Sequence, residues 1–423
     1  MNTARRSFLQ SLAAQSALLA VPSARAATPT YTVGVGHSSD PYTAAQKAIA
    51  ASGQFPSAQM AGKTVIIKPN LVTAATSTSG TTTDPQVVRA AVDLALAAGA
   101  AQILIAEGSC VQPAPFSLCG YDFFQTYDPL GRIQLVDLAQ QPLSFVTVRG
   151  GMVYHALWLP NTVTDPNAIF ISVAKLKTHF DVGATLSMKN LVGMAPSSIY
   201  NVANQFPRQD LHNRGIAQSI IALNTVRPIH FAMIDGVWGM EGMGPAQGTP
   251  IEADLVFAGL NPAAVDLVAL SAMQIPAQTV PYLTYARILG MGPDSISKIK
   301  ITGDPFTPLP FVPATTAPII WRPTVSPNSI GAGQQTTISY SMPQACNTQL
   351  QIIQDNDKTP GVVVVRTLHD WTARQAGTET VVWDGHSDAG APVARGWYLA
   401  CVGAQYGLNL ATNYASAFVA VSS

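Results

Sequence analysis

Charge is scarce in this chain. Only 11% of its 423 residues are charged, 23 Lys+Arg against 23 Asp+Glu, where ordinary soluble domains carry roughly 25%. So few cations at zero net charge argue against a nucleic-acid surface, whose affinity comes from neutralising phosphates. Long apolar runs are missing too. Beyond the N-terminal segment nothing approaches the ~20 consecutive apolar residues of a spanning helix, so no integral membrane span is expected after processing. Cysteine is sparse: Cys110, Cys119, Cys346 and Cys401 form no CxxCxxC run, and a cysteine-ligated iron–sulfur cluster is not expected. No GxSxG elbow, Walker loop or HExxH helix appears, which disfavours serine hydrolysis, nucleotide binding and zincin chemistry.

The first residues carry an address. Arg5-Arg6 precede Phe8-Leu9, a weakly apolar run covers 11–21, and Ala24-Arg25-Ala26 offers small residues for cleavage. This is the layout of a twin-arginine signal peptide over 1–26, with the mature chain starting at Ala27. The expected partner is the twin-arginine export machinery and the expected location is periplasmic or extracellular. In an oxidising compartment four cysteines suggest two disulfides, and pairing within each region (Cys110–Cys119, Cys346–Cys401) is the preferred connectivity.

From residue 27 to 303 short apolar strands alternate with helical stretches. Thr64 to Ile67 is a buried strand. Asp84-Pro85 then supplies an N-cap with proline at the first helical position, Gly99 a stop, and Gln102 to Ala106 the next strand. The pattern implies an α/β fold, a largely parallel sheet with helices on both faces. A proline-rich linker is expected over 304–327. Beyond it, over 328–423, five short strands separated by turn residues predict a small all-β sandwich.

Ligands of open α/β sheets bind beyond the carboxyl ends of the strands. The predicted strands end at Lys68-Pro69-Asn70, Glu107-Gly108-Ser109, Lys175 and Asp235-Gly236. Lys177, His179, Lys189, Asn190 and His212 follow the third of these. Lysines and histidines at this density suit an anionic ligand. Lys68, Asn70, Glu107, Lys177, Lys189, Asn190 and His212 are the expected substrate-binding residues; Lys175, His179, Asp235 and Glu241 are the expected catalytic ones. Asp235, Glu241, His179 and His212 are the candidate ligands of a divalent metal. The glycine-rich stretch 236–245 is expected to leave a strand as a loop facing the cleft. A ring of structural salt bridges among the same charged residues is the competing reading.

Several strings occur in a familiar order: KPNLV at 68–72, TDP at 83–85, AEGS at 106–109, KLKTH at 175–179, MKNLVG at 188–193, IDGVWGMEGMGP at 234–245 and NPAAVD at 261–266. Over residues 31 to 303 the chain resembles the uncharacterised family named domain of unknown function 362. Members of that family are often linked to iron–sulfur domains; this chain carries a β-rich region in that place. VWDGHSDAG at 382–390 with RGWY at 395–398 resembles the closing hairpin of flagellar-hook-cap-type immunoglobulin-like domains. That resemblance implies a spacer or a cell-surface attachment module, with Trp383, Trp397 and Tyr398 in its core. Two functions remain open. One is an exported enzyme of oxidoreductase or isomerase type acting on a small anionic molecule. The other is a non-catalytic ligand-binding or attachment protein.

Overall fold

The computed structural model describes residues 31–203, 205–314, 319–356, 362–406 and 412–422. The expected signal peptide and its cleavage point lie outside the described residues.

The first part is mixed α/β. Its strands are β1 (Tyr31–His37), β2 (Thr64–Lys68), β3 (Gln102–Glu107), β4 (Ile133–Asp137), β5 (Leu143–Thr147), β6 (Ala156–Pro160), β7 (Ile169–His179), β8 (Gly183–Thr185), β9 (Phe231–Glu241), β10 (Thr249–Gly259) and β11 (Ile299–Gly303). β5 and β6 pair as a separate hairpin; the other nine build one sheet in the order β11-β1-β10-β9-β7-β2-β3-β4, with β8 added along β7. Most neighbours are parallel, whereas β10 runs antiparallel to both β1 and β9. Five helices cover the faces: α1 (Pro41–Ser52), α2 (Pro85–Ala97), α3 (Gln209–Val226), α4 (Pro262–Met273) and α5 (Pro281–Ile288). Three of them start on the same signal. Asp40, Asp84 and Asn261 cap α1, α2 and α4 by accepting from Thr43, Gln86 and Ala264 N–H, each just before a proline. α1 and α2 bury Ala48, Val88 and Val92 on one face of the sheet. α3, α4 and α5 bury Ile220, Val268 and Tyr282 on the other.

Two strands run further than their sequences suggest. β7 continues through Lys175 to His179, because Lys177 and His179 pair with Thr185 and Gly183 of β8. β9 continues through Asp235 to Glu241, paired with β10 across a bulge between Glu252 and Leu255. The stretch expected as a ligand-facing glycine loop is therefore mostly strand. Gly239 serves packing there, since a Cβ on it would lie 2.8 Å from Leu176 O.

The C-terminal part is all β: β12 (Thr324–Ser326), β13 (Ser329–Gly331), β14 (Thr336–Met342), β15 (Cys346–Gln354), β16 (Val363–Arg374), β17 (Gly377–Trp383), β18 (Gly396–Gln405) and β19 (Asn413–Ser422). A three-stranded sheet, β12-β14-β17, and a five-stranded sheet, β13-β19-β18-β15-β16, enclose a core containing Trp383 and Tyr398. Trp397 points the other way. It packs with Phe418 around His155 of the α/β part, so it belongs to an interface and not to the core. The segment from 304 is strapped down as well: Leu309 and Phe311 N–H donate to Ala272 and Met273 O at 2.8 and 3.0 Å.

The two parts dock through α3. Gln218 makes a two-way bond with the Ser416 backbone, donating at 2.8 Å and accepting at 2.9 Å. Buried Arg214 meets Asp355 at 2.9 Å, and His155 Nδ1 lies 2.7 Å from the same carboxylate. Gly215 breaks the helix with φ 118°, which lets the backbone of Tyr414 approach.

All four cysteines are free thiols, contrary to the disulfide expectation. Cys346 belongs to the sandwich core, whereas Cys401 sits on the outer face of the sheet and donates to Asn213 O at 3.2 Å. Cys401 pairs with Gln351, five residues along β15 from Cys346. Opposite faces and a separation of roughly 16 Å along the strand rule out a bond that needs Cα atoms within ~7 Å. Cys119 is buried against Thr73 O, while exposed Cys110 takes a hydrogen bond from Arg208.

Candidate functional site

The carboxyl ends of β2, β3 and β7 open into a cavity of about 590 Å³, walled on the far side by the C-terminal region. Its base is a buried polar network. Lys68 Nζ donates to Glu107 Oε1 at 2.8 Å and to Asn190 Oδ1 at 3.3 Å, and Asn70 Nδ2 donates to the same Oδ1 at 3.1 Å. Glu107 is fully engaged, since Leu71 N–H holds its other oxygen at 2.9 Å. Asn190 Nδ2 donates to Lys68 O and Ser172 Oγ, both at 3.0 Å. Burial lowers the Lys68 pKa and Glu107 opposes that shift. The network tolerates no side chain at 193, where a Cβ would lie 2.5 Å from Glu107 Oε1 and 2.7 Å from Lys68 Nζ.

Above this base stand cations that form no ion pair with a described residue. Lys177, fully buried, donates to Thr81 O at 2.7 Å and Pro245 O at 3.1 Å. Burial first, then Lys189 and Lys175, push its pKa well below the usual lysine range. Lys189 is 7% exposed, and its ammonium makes no hydrogen bond or ion pair with any described residue. Burial brings its pKa down to about 8, opposed chiefly by Asp181. Arg208, absent from the expected set, is also buried at the cavity wall. Among the described residues its guanidinium is held by Ala195 O, Gly108 O, Gly193 O and Cys110 Sγ. Its own backbone sits in the left-handed region at φ 62°, immediately before α3.

Asp181 orients two imidazoles on the same wall. Its backbone N–H donates to His179 Nδ1 at 3.0 Å, which leaves the proton of that ring on Nε2. Its carboxylate lies 2.7 Å from His212 Nδ1, which leaves His212 Nε2 as an acceptor when the ring is neutral. Burial, and then Lys189, hold the His179 pKa well below the ordinary value, so the ring is neutral near pH 7. One neutral donor and one carboxylate-backed base thus share a cavity with Lys189.

The expected residues separate into three groups. Asn70, Glu107, Lys177, His179, Lys189, Asn190 and His212 line the cavity, with Lys68 directly beneath Glu107. Lys175 and Asp235 do not. They form a 2.8 Å pair at zero side-chain exposure inside the sheet, where Asp235 also accepts from Asp84 N–H at 2.8 Å. Glu241 lies elsewhere again and accepts from Val312 N–H at 2.7 Å. The four candidate metal ligands therefore do not converge, and no group of three or more His, Cys, Asp or Glu in a metal-binding arrangement occurs among the described residues. Asp181 and Arg208 were not singled out from sequence. The only signal was position: Asp181 is two residues after the KLKTH string, and Arg208 directly precedes the helix bearing His212.

Comparison with known proteins follows the same outline. Residues 65–271 match the family model described as domain of unknown function, DUF362. A thylakoid-associated protein of Synechocystis sp. is 28% identical over 238 residues, which span 55% of this chain and 70% of that protein. Among solved structures, FlgD from P. aeruginosa is 21% identical, covering 20% of this chain and 60% of that one with a TM-score of 0.16. An uncharacterized protein from Bacillus anthracis str. Ames is 14% identical, covering 22% and 76% with a TM-score of 0.17. At those scores neither structure supports an inference about this chain. The carboxyl ends of the strands that build the cavity base and the Lys/His-rich segments above it all fall within the residues that match the DUF362 model, 65–271.

Proposed function

We propose that this protein is an exported enzyme that binds a small anionic substrate in the cavity and moves a proton on it, chemistry of the isomerase type. The observation that carries the reading is Lys189: a lysine 7% exposed, with no hydrogen bond or ion pair to any described residue, facing a cavity that Lys177 and Arg208 also line. Burying an unpaired charge is costly, and an anion in the cavity would offset that cost and draw both lysines back to their charged forms. His212, backed by Asp181, takes the role of general base, and His179 donates from Nε2 to developing negative charge. Lys68, Glu107, Asn70 and Asn190 position the floor.

Calorimetry with phosphate and acetate tests the binding step. Lys189→Met is expected to abolish binding of both in a protein that remains folded. Unchanged affinity would leave the non-catalytic attachment reading in place. Export rests on Arg5-Arg6 and the small residues before Ala27. Replacing both arginines by lysine is expected to strand precursor in the cytoplasm, and undisturbed export would refute that part.

A further inference from the structure

The cavity walls differ in chemistry, and the difference bears on what fits. Among the described residues, every charged group that lines the cavity belongs to the α/β part. The C-terminal region contributes Gln351, Ile353, Val362, Cys401, Thr412 and Tyr414, none of them charged. At the mouth two apolar side chains stand exposed although both line the cavity: Phe206 at 73% and Met243 at 44%. The cations lie inward, at 0% for Lys177 and 3% for Arg208. A volume of about 590 Å³ is in the range that holds an organic ligand of moderate size. A bare inorganic anion would meet the cationic wall and leave the opposite wall facing water.

Resting on the anion-binding reading above, we infer that the ligand is an organic anion with a single charged head and an uncharged, largely apolar body. The head, a carboxylate or a phosphate monoester, sits at Lys189 and Arg208. The body lies against Ile353 and Tyr414 of the C-terminal wall and under Phe206. The C-terminal region thereby selects the substrate.

Matched probes separate this inference from the reading it rests on. Affinities are measured by calorimetry for acetate, phenylacetate and phenylacetamide, and for phosphate and phenyl phosphate. The aryl anion of at least one pair is expected to bind about tenfold or more tightly than its bare anion, the scale of one aromatic contact, and the neutral amide is expected not to bind. The pair with the larger advantage names the head. Phe206→Ser changes an exposed position and is expected to shrink that advantage, while Lys189→Met removes binding of both members. If bare and aryl anions bind equally in both pairs, and Lys189→Met abolishes both, the inference falls and the anion site stands. If phenylacetamide binds as well as phenylacetate, or no anion binds, the anion site itself falls.

Discussion

A lysine ammonium inside a protein is either paired or costly, and Lys189 is the second kind. Its pKa of about 8, against 10.5 for the free side chain, reflects burial only partly opposed by Asp181, with no bond to a described residue. The sign of the effect on stability follows. Below pH 8 the folded and unfolded chains both carry the proton and the folding cost is full. Between pH 8 and 10.5 the unfolded chain binds more protons, so stability rises with pH. Lys189→Met is therefore expected to stabilise the protein by about 3 kcal/mol at pH 7 and by progressively less as the pH approaches 10.5. Denaturant midpoints at pH 7 and pH 10 check this; a destabilised variant at pH 7 would mean that the ammonium has a partner. Ligand binding has the opposite dependence. Since the anion needs the charged lysine, affinity is expected to fall as pH rises through 8. Binding near that pH is expected to take up protons, visible as calorimetric heats that change with the ionisation enthalpy of the buffer.

At the scale of elements, the strand ends were legible in sequence and their fates were not. Lys68 and Glu107 each close a short parallel strand, and the sheet delivers both to the cavity base, as the alternation of strands and capped helices implies. Asp235 has the same local signature, but β10 returns antiparallel beside it and keeps β9 going for six more residues. A hairpin partner is a non-local fact, invisible to the residues around Asp235. β19 is hard to read from sequence for a different reason: its Ala/Ser-rich composition (NYASAFVAVS) lacks the β-branched enrichment that marks strands. Asp181 and Arg208 acquire meaning only when β7 and α3 are brought together. The Lys175–Asp235 pair obeys the structural reading of the charged residues, so its removal belongs to folding. Lys175→Ala leaves Asp235 buried and unpaired and is expected to cost ~3–5 kcal/mol, while the folded fraction keeps its affinity for phosphate. Loss of phosphate binding with an unchanged denaturant midpoint would return Lys175 to the site.

At the scale of the whole molecule, the cavity exists because two parts of the chain are held together, and a few polar contacts dominate the join. Arg214 and Asp355 are 2% and 5% exposed in their side chains, and His155 reaches the same carboxylate while stacked 4.0 Å from Phe418. Removing the carboxylate leaves Asp210, 3.4 Å from Arg214 Nε, as counter-charge on the α/β side, but strips the guanidinium of its hydrogen bond across the join, at a cost of ~1–3 kcal/mol. That cost falls on docking and not on either core, because the two cores are built from separate sets of apolar residues. Asp355→Ala is therefore expected to uncouple the parts. Melting should split into two transitions, and protease should gain access to the segment 304–327. Affinity for the aryl anion should fall towards that of the bare anion, because Ile353 and Tyr414 leave the cavity while Lys189 and Arg208 stay. A single transition at the original temperature, with protease resistance and the aryl preference retained, would show that the interface holds without Asp355. The C-terminal wall would then owe its position to the apolar contacts and to the Gln218–Ser416 bonds.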